Sequence, residues 1–583
     1  MNSELQEELE NKTNQLIDEI KKYKTESVLG IISSQIQLPI DNIFEFTGLS
    51  SPYRQYLYLA GLLLSNKSVD NPKVLDENDL KEIKTLLEEI TFCYSKMYFP
   101  TEQEFSEDID DRWKKARRVS MPAFLHYFNT TQLNYSEQQV ERIERWYLPY
   151  DSFLKDETGI SVSELLDIYC FIKDSLQKQI NNLQEDFEYI DKHREFFLDK
   201  MEGGELDYQG MLTLSRDLLA GKAKSLRQNI ALINHIKIEK LREKFNEAVI
   251  DTFLKYFTIE RKERDFRYYT QNNPFESSPI WKKSNQYIFI SVLKQVLNAI
   301  SSFLEKTIGN TDKAESFYRH RGSSVEKQVE DILQTLFKDE ADFYNSVYED
   351  AEAHDEHDLL IFYKGKILIV ESKASSLREP FRDPDKAFER IKSDFKSDTG
   401  IQKAYNQAKK LKDKLYSSTK TKLFNENGDV VKEVIREEID DIYLISITSE
   451  DWGALASNLS LLLEKEDSEP YPWSCNLYNL ESLIEGFLYK GFEIADFIKY
   501  LDQRRKYHEK LFASDELEIA GMFITKNGLD EIGEREMDMI FFTPDMSDIF
   551  DEIYFEKKGI ENSFSKDEDG TVFIDMKKEF GLS

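Results

Sequence analysis

Cysteine is nearly absent: Cys93, Cys170 and Cys475 stand far apart in 583 residues and form no CxxC pair. That spacing excludes a zinc ribbon and a disulfide framework, and it suits a reducing cytoplasm. Long apolar runs are missing as well. YLYLAGLLL, from Tyr56, is about half the ~20 residues that a membrane-spanning helix needs. No GxxxxGK[ST] loop occurs, so a nucleotide-driven motor would have to be a separate subunit. Positive charge is in deficit, with 77 Lys and Arg against 110 Asp and Glu and a net charge of -33. Chain-wide attraction to nucleic acid or to an anionic membrane is thereby excluded, although a local basic patch is not. Met1 leads into SELQEELENKTNQLIDEI, which is acidic and amphipathic, unlike a signal peptide. The expectation is a cytoplasmic protein without membrane association.

What is present is the material of a folded, multidomain chain. Apolar residues make up 40% and aromatics 13%, enough to build cores rather than remain disordered. Apolar residues recur every three or four positions in LKEIKTLLEEITFCYSKMYF (from Leu80), VSELLDIYCFIKDSLQKQI (from Val162) and YIFISVLKQVLNAISSFLEKTI (from Tyr287). This spacing predicts helices up to about residue 310, with Asp251 to Lys283 ending in a connection. A turn near Pro149-Tyr150-Asp151 suggests two helical domains, 1–150 and 151–315. From 316 to 512 the pattern becomes helix, three strands, helix, strand, helix: an α/β domain with a mixed sheet flanked by helices. In it GSSVEKQVEDILQTLF reads as a Ser-capped helix. Residues 513–583 form a small α+β segment.

Two stretches are basic, KAKSLRQNIALINHIKIEKLREK from Lys222 and KAYNQAKKLKDKLYSSTKTK from Lys403. Either would serve as a phosphate-facing patch or as a solvated helix face. Trp113 with Arg117 and Arg118 offers a stacking and phosphate-contact group, or an ordinary packed helix with a basic rim.

The informative stretch is HDEHDLLIFYKGKILIVESKA, His354 to Ala374. Lys364-Gly365 reads as a two-residue hairpin loop, Gly suiting the position that needs positive φ. Partners then sum to 729, so Phe362 faces Ile367, Leu360 faces Ile369 and Asp358 faces Glu371. Alternation puts all six on one sheet face, with Lys373 joining them and His357 turned away. A direct Asp358–Glu371 pair, with Cβ atoms roughly 4.5–5.5 Å apart, is repulsive. A proton, a basic neighbour or a divalent cation relieves it. Carboxylates from adjacent strands suit Mg²⁺, and Lys373 then stands where it can orient a metal-bound water. His354, beside Asp355 and Glu356, lies too far from Glu371 to join.

Asp358 followed thirteen positions later by Glu371-Ser372-Lys373 resembles the D…ExK core of the PD-(D/E)XK nuclease superfamily, of the kind seen in nuclease-related and type IV restriction-like domains. The resemblance covers about 320–510. It departs from the superfamily name in having His357, not proline, before Asp358. It implies a restriction-endonuclease-like fold and a metal-dependent nuclease of DNA, ahead of RNA, in anti-phage defence or DNA processing. The implied metal is Mg²⁺ or Mn²⁺, held by Asp358, Glu371 and the carbonyl of Ser372. Lys373 would position the water. Gly322-Ser-Ser-Val-Glu326 matches a helix that often supplies a further acid, and Gln407, in QAKKL, is preferred to Gln402 as the helical glutamine. A nuclease fold without catalysis, binding nucleic acid or a protein partner within an assembly or as a homo-oligomer, is the alternative.

Overall fold

The computed structural model describes residues 3–36, 47–98, 119, 124, 127–128, 135–203, 208–374, 384–535, 539–558, 564–566 and 572–574. Trp113, Arg117 and Arg118 lie outside the described residues. The chain falls into two compact units. One comprises Met1–Glu10, Glu88–Gln138 and Gly309–Lys557, the other Asn11–Leu87, Gln139–Ile308 and Lys558–Ser583.

The second unit is mainly helical. Val162–Glu202 begins on a capping box in which Ser161 and Glu164 satisfy each other's backbone N–H groups. It packs along Tyr208–Leu232. The YLYLAGLLL run lies in the buried helix Pro52–Ser65, and no helix among the described residues is long and apolar enough to cross a membrane. Residues of the basic stretch from Lys222, of the segment Asp251 to Lys283 and of the expected helix start at Tyr287 instead build a four-stranded sheet, in the order His235–Lys237, Tyr287–Ile290, Ile280–Lys282, Thr258–Ile259. The YIFI run is β-branched and aromatic and buried along its last three residues, so strand packing wins over its helical spacing. The helix follows only from Leu293.

The first unit carries a seven-stranded mixed sheet. Helix α1 (Ala314–Phe337) precedes β1 (Asp342–Tyr348), β2 (Glu356–Tyr363) and β3 (Lys366–Lys373). Then come α2 (Pro384–Phe395), α3 (Ile401–Ser417), β4 (Lys420–Phe424), β5 (Val430–Ile435), β6 (Asp441–Thr448), β7 (Trp473–Asn476), α4 (Leu477–Tyr489), α5 (Ile494–Tyr507) and α6 (Glu516–Lys526). The sheet order is β7-β6-β3-β2-β1-β4-β5. β3, β6 and β7 run parallel to one another, and the remaining pairs are antiparallel. β6 lies inside the sheet, as its apolar residues on both faces require. Beyond the expected strands stand β7 and the β4–β5 hairpin.

α1 starts nine residues before the expected Ser cap, so Gly322, Ser323 and Ser324 lie inside a helix. Val325, Val329, Leu333, Leu336 and Phe337 form its buried stripe, packed on β2 and β3. The opposite sheet face buries Leu360, Ile367, Ile369, Ile442 and Leu444 under Ile401, Tyr405, Ala408, Leu411 and Leu415 of α3. Two helices thus clamp the central strands, and the chemistry-bearing residues project at the C-terminal end of β3.

Candidate active site

The β2–β3 turn is tight. Lys364 and Gly365 have φ of 44° and 78°, the paired positive values of a type I′ hairpin. A lysine is tolerated there because its chain lies over the Tyr363 ring and its ammonium bonds Glu340 and the Tyr363 hydroxyl. Gly365 is required twice over, since a Cβ would stand 2.4 Å from Asp440 Oδ2.

From this turn the pairing runs Tyr363↔Lys366, Phe362↔Ile367, Ile361↔Leu368, Leu360↔Ile369 and Leu359↔Val370. There it stops. Asp358 and Glu371 are not a ladder pair, contrary to the arithmetic. On its other edge β2 pairs Asn345↔Leu359 and Val347↔His357, again passing over Asp358 and its counterpart Ser346. Ser346 has φ of 46°, and the register is the same on either side of it, so Ser346 and Asp358 interrupt the pairing one against one. Side-chain facing changes across this interruption although the register does not. Leu360 faces α3 and so does Val347, the cross-strand neighbour of His357.

That change turns His357 inward, against the expectation that it faces away. The ring is buried, with Nδ1 2.9 Å from Glu371 Oε1 and Nε2 3.2 Å from Glu349 Oε1. Lys414 of α3 backs this group, its Nζ donating to the Glu349 carbonyl at 2.7 Å and lying 3.3 Å from Oε2. Burial alone would lower the His357 pKa, but hydrogen bonds and charge from the two carboxylates push it up to about 9. Glu349 is held below its usual range, because the His357 and Lys414 contacts outweigh its burial.

Asp358 meets β3 through its side chain: Oδ2 accepts from the backbone N–H of Ser372 at 2.6 Å. Burial first, then the charge of Glu371 and to a lesser degree Glu326, push the Asp358 carboxyl up to about 8, against the pull of Lys373 and the Ser372 N–H. Lys373 Nζ donates to Gln407 Oε1 at 3.1 Å and lies 3.6 Å from Glu371 Oε2. Its backbone is fixed by pairing with Thr448 and by the Ser449 N–H on its carbonyl. Glu326, from α1, is raised by burial and then by Glu356, with Glu371 adding and Lys373 opposing. Asp358, Glu371, Lys373, Glu326 and Gln407 thus share one locus. Gln402 does not: it bonds Asn406 and the backbone of Glu464.

One atom is left over. Glu371 Oε2 is buried and has no hydrogen-bond partner. A buried carboxylate oxygen without a donor is costly. Beside Asp358, the all-oxygen donor set fits a hard divalent cation. His354, by contrast, sits with Asp350 and Glu352 in an exposed group, its Nδ1 3.3 Å from Asp350 Oδ2.

Four of the five lysines of α3 are paired with acids, and Lys403 is exposed. Lys409 pairs with Asp413, Lys410 with Asp355, Lys412 with Glu469 and Lys414 with Glu349. In the other basic stretch, Lys222 is held by Asp186, which also accepts from Ser225 and Asn229.

The sheet order, the helix before it and the acid–lysine group on β3 together point one way. Residues 321–435 match the family model of NERD, the nuclease-related domain. That family belongs to the PD-(D/E)XK-like nuclease superfamily. The NERD match spans α1 through β5, and with them Glu326, Asp358, Glu371, Lys373 and Gln407. No curated protein and no solved structure matches the chain.

Proposed function

We propose that this protein is a divalent-metal-dependent nuclease that hydrolyses phosphodiester bonds, with DNA ahead of RNA as substrate. The observation that carries the reading is Glu371 Oε2, a buried oxygen without a donor, beside a second buried acid and Lys373. Asp358 and Glu371 would hold Mg²⁺ or Mn²⁺, with the Ser372 carbonyl. When bound, such a cation lowers the pKa of a coordinated water and neutralises charge growing on a phosphoryl oxygen. Lys373 would orient the attacking water, its ammonium being shared between Gln407 and Glu371. Glu326 lies within electrostatic reach of Lys373 and assists from the other helix. The helical unit recognises substrate or takes up a protein partner.

The test is cleavage of DNA and RNA panels with Mg²⁺ or Mn²⁺ by wild type and Lys373→Ala. Metal-dependent cleavage by the wild type that drops by at least ~10²-fold in the variant is expected. Equal rates in the two proteins would reject this mechanism. The neutralised α3 lysines favour a second reading, a nuclease fold that binds a partner without cutting. Mn²⁺ affinity unchanged in the Asp358→Asn/Glu371→Gln double variant would favour it.

A further inference from the structure

The interior of the first unit holds a run of charged groups that packing alone does not require. Glu371 is 0% exposed, His357 1% and Glu349 6%, and Lys414 closes the run from α3. Burying two carboxylates and an imidazole costs free energy that an apolar trio would avoid. An isolated histidine there would need only one acceptor. This one has a carboxylate oxygen against each nitrogen, so both ring N–H groups donate and neither is free to bind a metal.

The consequence falls on Glu371. His357 engages Oε1 only, and Oε2 is left without a donor beside Lys373. A carboxylate tethered by one oxygen cannot rotate to satisfy the other. Without the tether, Glu371 would turn toward Lys373 and use both oxygens on it. The tether is braced in its turn, because Glu349 and Lys414 fix the far side of the imidazole ring.

We infer that His357 is a positioning residue: its Nδ1–H fixes Glu371 so that Oε2 is presented to a divalent cation. This rests on the reading of Asp358 and Glu371 as the cation-holding pair and adds the device that orients one of them. Groups of this kind, hydrogen-bonded to a ligating carboxylate, commonly change metal affinity by about 10–100-fold when removed.

The side-chain amide nitrogen of Asn falls near the place of histidine Nδ1, and that of Gln near Nε2. His357→Asn therefore keeps the donor to Glu371 and loses the brace on Glu349, whereas His357→Gln does the reverse. Mn²⁺ is titrated calorimetrically into the full chain without substrate, for wild type, His357→Asn, His357→Gln, His357→Ala and Glu371→Gln, and each Tm is measured without metal. The expected order places His357→Asn within about 3-fold of wild type and His357→Gln and His357→Ala at least about 10-fold weaker. The Tm of His357→Asn falls even though its affinity is kept. Affinities that follow Tm across the three variants, or a His357→Ala protein binding as tightly as wild type, would overturn the inference and leave the metal site standing. A wild type that binds no more Mn²⁺ than Glu371→Gln would overturn both.

Discussion

Asp358 Oδ2 takes the backbone N–H of Ser372 at 2.6 Å, so the acid from β2 holds β3 by its side chain at the point where the regular pairing ends. The neutral amide of Asn can accept the same bond without carrying charge among Glu371 and Glu326. Asp358→Asn is therefore expected to stabilise the metal-free protein, by on the order of 1–3 kcal/mol. A Tm below that of the wild type in chelator would contradict this.

Cation binding adds a linkage effect. At a Mn²⁺ concentration of about 100 Kd the wild type gains roughly 2.7 kcal/mol, seen as a higher Tm. Asp358→Asn and Glu371→Gln lose that gain. A Tm rise of the same size in all three would place the bound ion elsewhere.

Among the described residues, the hydrogen bond of Gln407 to the candidate machinery is the one it accepts from Lys373 Nζ. Gln407→Ala frees the ammonium to fall onto Glu371. Cleavage is expected to slow by about 10-fold or more through kcat, with KM little changed. A pure KM effect would mean that Gln407 contacts substrate instead.

Gly365 combines φ of 78° with a neighbour that would stand 2.4 Å from any added Cβ. Gly365→Ala should cost about 1–3 kcal/mol by denaturant titration. The contact with Asp440 separates this from backbone strain: Gly365→Ala in an Asp440→Ala background should cost less. Equal costs in both backgrounds would leave strain as the whole effect.

Glu518, on α6, is buried, and its carboxyl stands at about 7: burial and the charge of Asp545 raise it, while the Ser514 hydroxyl and N–H pull it down. The folded state therefore holds its proton where the unfolded chain, near 4.5, has released it. Stability should fall as pH climbs from about 4.5 to about 7 and then level off. Glu518→Gln removes that penalty, so its advantage should grow by on the order of 2–3 kcal/mol between pH 5 and pH 8. A pH-independent offset would show that the side chain is hydrated.

The hairpin was legible because its code is local: period-two alternation, a two-residue loop and a glycine where φ must be positive. Five of its pairs, from Tyr363↔Lys366 to Leu359↔Val370, follow by counting. The sixth does not: the ladder ends at Leu359, and Asp358 takes the Ser372 N–H by its side chain, a contact that counting along the two strands does not supply. The change of facing beyond Leu359 concealed His357. The β4–β5 hairpin did carry a readable sign, Asn427-Gly428, with Gly428 at φ of 78°. The four-stranded sheet carried almost none: its strands are two to four residues long, and burial rather than periodicity selects them. Gln407 bonds Lys373 and Glu326 lies within electrostatic reach of that lysine, and spacing alone favoured neither over its neighbours.

The interruption opposite Ser346 also divides the sheet by purpose. From Leu359 to Phe362 the strand is bound to its neighbours on both edges and can only be repacked as a whole. Beyond it, His357 faces the same side as Leu360, so a substitution there changes donor geometry inside a buried group and is felt in stability as well. Deleting Ser346 would leave Asp358 without a counterpart on β1 and shift Val347 and Tyr348 by one against His357 and Glu356.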